Sequence, residues 1–149
     1  MDESEYISVI PLDVVPSVCG CTLFLKAGRK IFAINMDFSK FDVLKLALSG
    51  EVCERPTTFE FFGACLDSIG CVVVRMDFFN ESGGIFYCRT TLSLNEAFDN
   101  RIAEIDSRPS DAVPLALRTG APIFIDARLL ARLPDASKMY AEMRESPRL

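Results

Sequence analysis

An α+β fold is predicted for this chain of 149 residues: one domain, with a mixed and largely antiparallel sheet and helices packed against it. Three observations predict it. Two pairs of apolar, β-rich runs are joined by glycine turns, at Gly28 and at Gly83-Gly84, as hairpins are. Two stretches with apolar residues at helical spacing each stop at a glycine, Gly50 and Gly70. Ile105 to Ile125, IDSRPSDAVPLALRTGAPIFI, reads as strand, charged turn, apolar helix and buried strand in succession. The length suits one domain with a proper core, and no repeat, linker or low-complexity tract divides residues 1–149.

Taken in order, Tyr6 to Val15 alternates and then runs apolar, a first strand ending near Pro16. Thr22–Lys26 and Lys30–Met36 form the first hairpin, with the basic cluster Lys26, Arg29 and Lys30 at its tip. Ser39–Leu48 is a helix. Ser39 and Asp42 have capping-box spacing, and Phe41, Leu44, Ala47 and Leu48 make its core-facing stripe. Thr57 and Glu60 repeat that spacing at a second helix, whose stripe is Phe59, Phe62, Leu66 and Ile69; Phe59, Phe61 and Phe62 read as core residues.

Cys71–Phe79 and Ile85–Leu94 form a long hairpin with one wet side. Val72, Val74, Met76 and Phe78 alternate with residues that become charged at Arg75 and Asp77. Arg101–Asp106 returns as a strand. Ser107 is then placed to cap the next helix, Pro109 suits its first turn, and Asp111 meets the positive end of its dipole. Pro114 predicts a kink. After the strand Pro122–Ile125, Asp126–Arg132 reads as a short helix closed by Pro134. Asp135–Glu145 is a last helix with a weak stripe of Met139, Tyr140 and Met143, expected on the body or on another subunit, and 146–149 is expected to fray.

Composition removes several functions. Net charge is −5, against the basic face of a tight duplex binder, though a small local phosphodiester site is compatible with it. With no histidine, any general base must be Asp, Glu, Lys, Tyr, Cys or a metal-bound hydroxide. None of the six cysteines forms a C-x-x-C pair; Cys19-Gly20-Cys21 leaves open a soft-metal or disulfide site against two plain thiols at a turn. The acidic start MDESEY lacks a signal region and no run approaches a membrane span, so a reduced, cytoplasmic protein is expected.

Asp106-Ser107-Arg108-Pro109-Ser110-Asp111-Ala112, then Leu115-Ala116-Leu117-Arg118 and Ala121-Pro122-Ile123, resembles the signature of the bifunctional nuclease (BFN) domain family, D-A/S-R-P-S-D-A-x-x-L-A-L-R-x-x-A-P-I. The resemblance spans roughly 14–130, leaving 135–149 as a C-terminal helix and tail. It implies a nuclease active on DNA and RNA. Arg55-Pro56-Thr57-Thr58-Phe59-Glu60 resembles the family's R-P-x-T-H-D-L, with Phe59-Glu60 where the family has a histidine–aspartate pair. The carboxylate is kept in kind and the imidazole is gone.

The groups that could assemble a site are therefore Arg55, Glu60, Asp106, Arg108 and Asp111. Hydrolysis of a phosphodiester with a divalent ion needs carboxylate oxygens for a hard cation and positive groups for the developing phosphate charge. Asp106, Asp111 and Glu60 would hold Mg2+ or Mn2+, and Arg108 and Arg55 would clamp the phosphate of a nucleic acid. The same residues also have plain structural uses. Asp111 can serve the helix start, Glu60 its capping box, and Arg108 can pair with Asp106. The alternative is thus a non-catalytic interaction or regulatory domain, a homo-oligomer that keeps the signature for folding and assembly.

Overall fold

The computed structural model describes residues 5–96 and 99–145, so the expectation for 146–149 lies outside the described residues. Among them, β1 (Tyr6–Ser17), β2 (Gly20–Ala27) and β3 (Lys30–Met36) are followed by a short 3-10 turn and α1 (Phe41–Ser49). Next come α2 (Thr58–Ser68), β4 (Cys71–Ser82), β5 (Ile85–Glu96) and β6 (Asp99–Ser107). The chain continues with α3 (Pro109–Thr119), β7 (Ile123–Asp126), α4 (Ala127–Arg132) and α5 (Ser137–Glu145). The strands form one sheet in the order β3-β2-β1-β7-β4-β5-β6. Among the described residues only the β4–β7 pairing is parallel. The α+β class and mixed sheet are as the hairpins and glycine stops predict.

Alternation along the strands sorts the sheet into two faces. Leu23, Leu25, Phe32, Ile34, Met76, Phe78, Ile123 and Ile125 turn to one side, where Leu44 of α1, Val113 and Ala116 of α3, and Leu129 and Leu130 of α4 close the main core. Phe78 is its centre, edge-on to Phe32 and Phe86 at 5.7 and 6.1 Å between ring centroids. On the opposite face a smaller cluster, Val15, Phe24 and Ala136, is covered by Tyr140 and Met143 of α5. The last helix thus packs on the body. Lys30 fixes the approach to it by donating to the carbonyls of Leu130 and Leu133, at 2.8 and 2.9 Å, at the end of α4.

Several local expectations change. The helix after β3 is capped by Asp37, which accepts from the Ser39 N–H at 2.9 Å and leads into the 3-10 turn; Ser39 is inside that turn and α1 begins at Phe41. A bulge between Val73 and Arg75 breaks the phase of β4, so Val73 is buried and Val72 and Val74 face solvent, while Met76 and Phe78 return to the core. The core stripe predicted for α2 is overturned: none of its residues is buried, and Phe61, Phe62 and the following Ile69 are exposed. Helix α2 reaches the body along α3, where Gly63 lies close enough that an added Cβ would stand 3.6 Å from Thr119 Cγ2. Helix α3 runs unbroken through Pro114, whose ring is fully buried, and ends at Gly120 with φ 73°.

All six cysteines are free thiols. Burial, and after it the charge of Asp106, pushes the Cys88 thiol far above its ordinary range; burial, then Asp37, raises Cys21. Cys19 and Cys65 are exposed. Brief alkylation of the native protein followed by mass spectrometry is expected to modify Cys19 and Cys65 first, with Cys21 and Cys88 protected until denaturant is added. Early labelling of Cys88 would contradict this packing.

Candidate active site

The start of α3 is built by three local devices. Pro109 occupies the first helical turn, where its missing N–H removes nothing, and Arg108 is the N-cap in extended conformation with no side-chain cap. The backbone carbonyl of Arg108 takes the N–H groups of Asp111 and Ala112 at 3.0 and 2.9 Å. Ser107, expected to cap the helix, instead shares a 2.9 Å hydrogen bond with the Thr90 hydroxyl on the neighbouring strand, fixing the end of β6 to β5. The Arg108 and Asp111 side chains are consequently left to each other, Nε to Oδ2 at 3.1 Å, with 73% and 46% of their side-chain surface exposed.

Three concavities meet at this corner. A cleft of ≈400 Å³ is lined by Tyr87, Asp106, Ser107, Arg108 and Asp111. On the other side of Arg108 a groove of ≈240 Å³ holds Asn35, Asp37, Lys40 and Ser110. Hydrogen bonds from the Ser39 backbone and hydroxyl keep the Asp37 carboxyl below its usual range, so it is ionised at neutral pH. A third, apolar pocket of ≈130 Å³ lies behind Asp111, between Phe59 and Phe62 of α2 and Leu92, Ile105 and Leu115. Phe59 therefore stands where an apolar wall faces the helix start.

The structure brings Asp106, Arg108 and Asp111 to one cleft. Asp106 is exposed on β6 and makes no ion pair among the described residues. The other two candidates are elsewhere. Glu60 completes half of its capping box by accepting from the Thr57 N–H at 3.3 Å, and Arg118 Nη2 lies 3.2 Å from its Oε1. That oxygen has no aligned donor, so the contact is Coulombic rather than a directed hydrogen bond. Arg55 is exposed ahead of α2 and lines none of the three concavities. Among the described residues no group of three or more Cys, Asp or Glu side chains is close enough to share a metal ion. The expected trio of Asp106, Asp111 and Glu60 is therefore not assembled as a cage.

A charged cluster that the sequence does not single out lies on the open face of the sheet. Asp77 is only 4% exposed. Its carboxylate accepts from Arg75 Nε at 2.7 Å and lies 3.9 Å from Arg89 Nε. Arg75 lies over the rings of Phe124 and Tyr6, at 4.1 and 5.1 Å, and Arg89 over Phe79 at 5.1 Å while donating to the Tyr6 hydroxyl at 2.9 Å. The one available signal was the i, i+2 spacing of Arg75 and Asp77, which puts both on one face of a strand.

A family model described as the bifunctional nuclease domain matches residues 22–136, and the chain belongs to that family. It is similar to two uncharacterized proteins of Mycobacterium tuberculosis, from strains CDC 1551 / Oshkosh and H37Rv. Each is 27% identical over 114 residues, which cover 74% of this chain. The match spans 65% of the length of each of these curated relatives. No helix among the described residues is long and apolar enough to cross a membrane.

Proposed function

We propose that the chain hydrolyses phosphodiester bonds of DNA or RNA at the cleft lined by Asp106, Arg108 and Asp111. The observation that supports this reading is their convergence, at the signature of a nuclease-named family, in an open cavity at a helix start. Arg108, largely exposed, receives the phosphate and neutralises the charge that gathers on its oxygens in the transition state. Asp106, without an ion pair, accepts the proton of the attacking water. Asp111 orients Arg108. Asp106 and Asp111 are the carboxylates that would hold Mg2+ or Mn2+ alongside substrate oxygens and water, where the ion would neutralise phosphate charge. Glu60 and Arg55 are not needed. A cytoplasmic location belongs to the same proposal, supported by the free thiols.

The test is cleavage of single- and double-stranded DNA and RNA by the purified chain with Mg2+ or Mn2+, then with EDTA, beside Asp106→Asn and Asp111→Asn. Cleavage unchanged in both folded variants would remove the cleft from the reaction.

One observation favours a second, non-catalytic reading. Helix α2 and the residues after it leave Phe61, Ile69 and Val72 at 64%, 66% and 59% exposure, a patch that a homo-oligomer would cover. Light scattering on the eluting protein is expected to give more than one chain, and Phe61→Ser with Ile69→Ser to return it to one. A wild-type monomer at high concentration would end this reading.

A further inference from the structure

We propose that the open sheet face beside the cleft is a track for single-stranded nucleic acid, its bases stacking on Phe79 and Tyr87 and its phosphates meeting Arg89 and Arg75; this rests on the phosphodiesterase reading, whose substrate class it narrows. The link is Tyr87. Tyr87 is among the residues that line the cleft of Asp106, Arg108 and Asp111, and its ring lies 6.4 Å from that of Phe79 on the adjacent strand. Both residues are 38% exposed. Arg89 is the register partner of Asp106 on β6 and of Asp77 on β4, so the arginine begins one strand in from the cleft. A strand leaving the cleft over Tyr87 therefore runs onto Phe79 and the guanidinium above it.

Shape selects single strands, and the scarcity of cations argues against a duplex. Two arginines share one buried carboxylate on this face, and Asp106 and Glu104, register partners of Arg89 and Thr91, add two more carboxylates along its edge strand, so the guanidiniums are local cations rather than a basic patch. Two cations are few for a duplex, whose affinity grows with the number of phosphates neutralised. They suffice beside stacking rings, because unpaired bases offer π-faces that a duplex keeps stacked inside. Asp77 holds the guanidiniums in place, so little order has to be gained when phosphates arrive. The opposite end of the face is closed by α5 over Phe24, which confines the free surface to the half next to the cleft.

The test is fluorescence anisotropy of a labelled oligothymidylate and of a duplex of equal length, with the full chain in EDTA. Single strands are expected to bind more tightly than duplex. Tyr87→Ala and Phe79→Ala, both at exposed positions, should each weaken single-strand binding by about tenfold, and Tyr87→Phe should retain it. Arg89→Gln should reduce the salt slope by about 0.7. Duplex bound as tightly as single strands would overturn the track, as would alanine variants that stay folded and bind within about twofold of wild type. Ring-dependent binding by a protein that cuts nothing would sustain the track and defeat the phosphodiesterase reading. Cleavage with ring-independent binding would do the reverse.

Discussion

Asp111→Asn is expected to lower nucleic-acid cleavage by about 100- to 1,000-fold while leaving the fold intact, and Arg108→Ala to do the same. The two expectations separate because the groups do little for stability. The Arg108–Asp111 pair is exposed and lies at i, i+3, a class of contact worth about 0–1 kcal/mol. Loss of one negative charge in the first turn of α3 adds roughly 0.3–1 kcal/mol against the helix dipole. A drop in rate of two orders of magnitude therefore cannot come from unfolding. Glu60→Gln is the contrasting variant. It loosens the contact with Arg118 between α2 and α3, so its effect should be read in thermal stability. If folded Glu60→Gln lost cleavage as fully as Asp111→Asn, the reacting groups would extend to α2 and the three-residue cleft would be wrong.

What was legible in the sequence was whatever depends on neighbours in the chain. Gly28, Gly50 and Gly120 mark turns and helix ends because a left-handed backbone is a local demand, and all three have positive φ. The D-S-R-P-S-D start was legible as a helix opening for the same reason. Choices between nearby acceptors were not: Asp37 and Ser39 both suit a cap two residues apart, and the carboxylate took it. The bulge after Val73 inserts one residue and inverts the side of every one that follows until the phase is reset, which alternation alone cannot foresee. For α2, apolar spacing said that Phe61, Phe62 and Ile69 avoid water, but not whether their partner is in this chain. Glu60 looked like a possible ligand because its partner, Arg118, is brought to it only by helix packing. The same holds for Asp77, whose second arginine comes from another strand.

Asp77→Asn is expected to be the most destabilising polar substitution, by about 2–4 kcal/mol. Breaking a buried ion pair from one side costs about 3–5 kcal/mol, because the remaining charge keeps its desolvation without a partner. Here the stranded charges are two guanidiniums whose side chains are 32% exposed, so solvent screens part of that loss. For a chain of 149 residues each kcal/mol moves the midpoint by roughly 2–4 °C, giving a drop of about 4–16 °C that differential scanning calorimetry resolves easily. The amide would still accept from Arg75 Nε, so geometry is retained and the measured change is that of charge. Arg89→Gln in the Asp77→Asn background supplies the control. If the carboxylate acts by holding two cations, removing one of them should return part of the lost stability. A purely additive pair of losses would mean that Asp77 is held by packing alone, and that the guanidiniums over Phe79 and Phe124 are ordered by their rings rather than by the carboxylate between them.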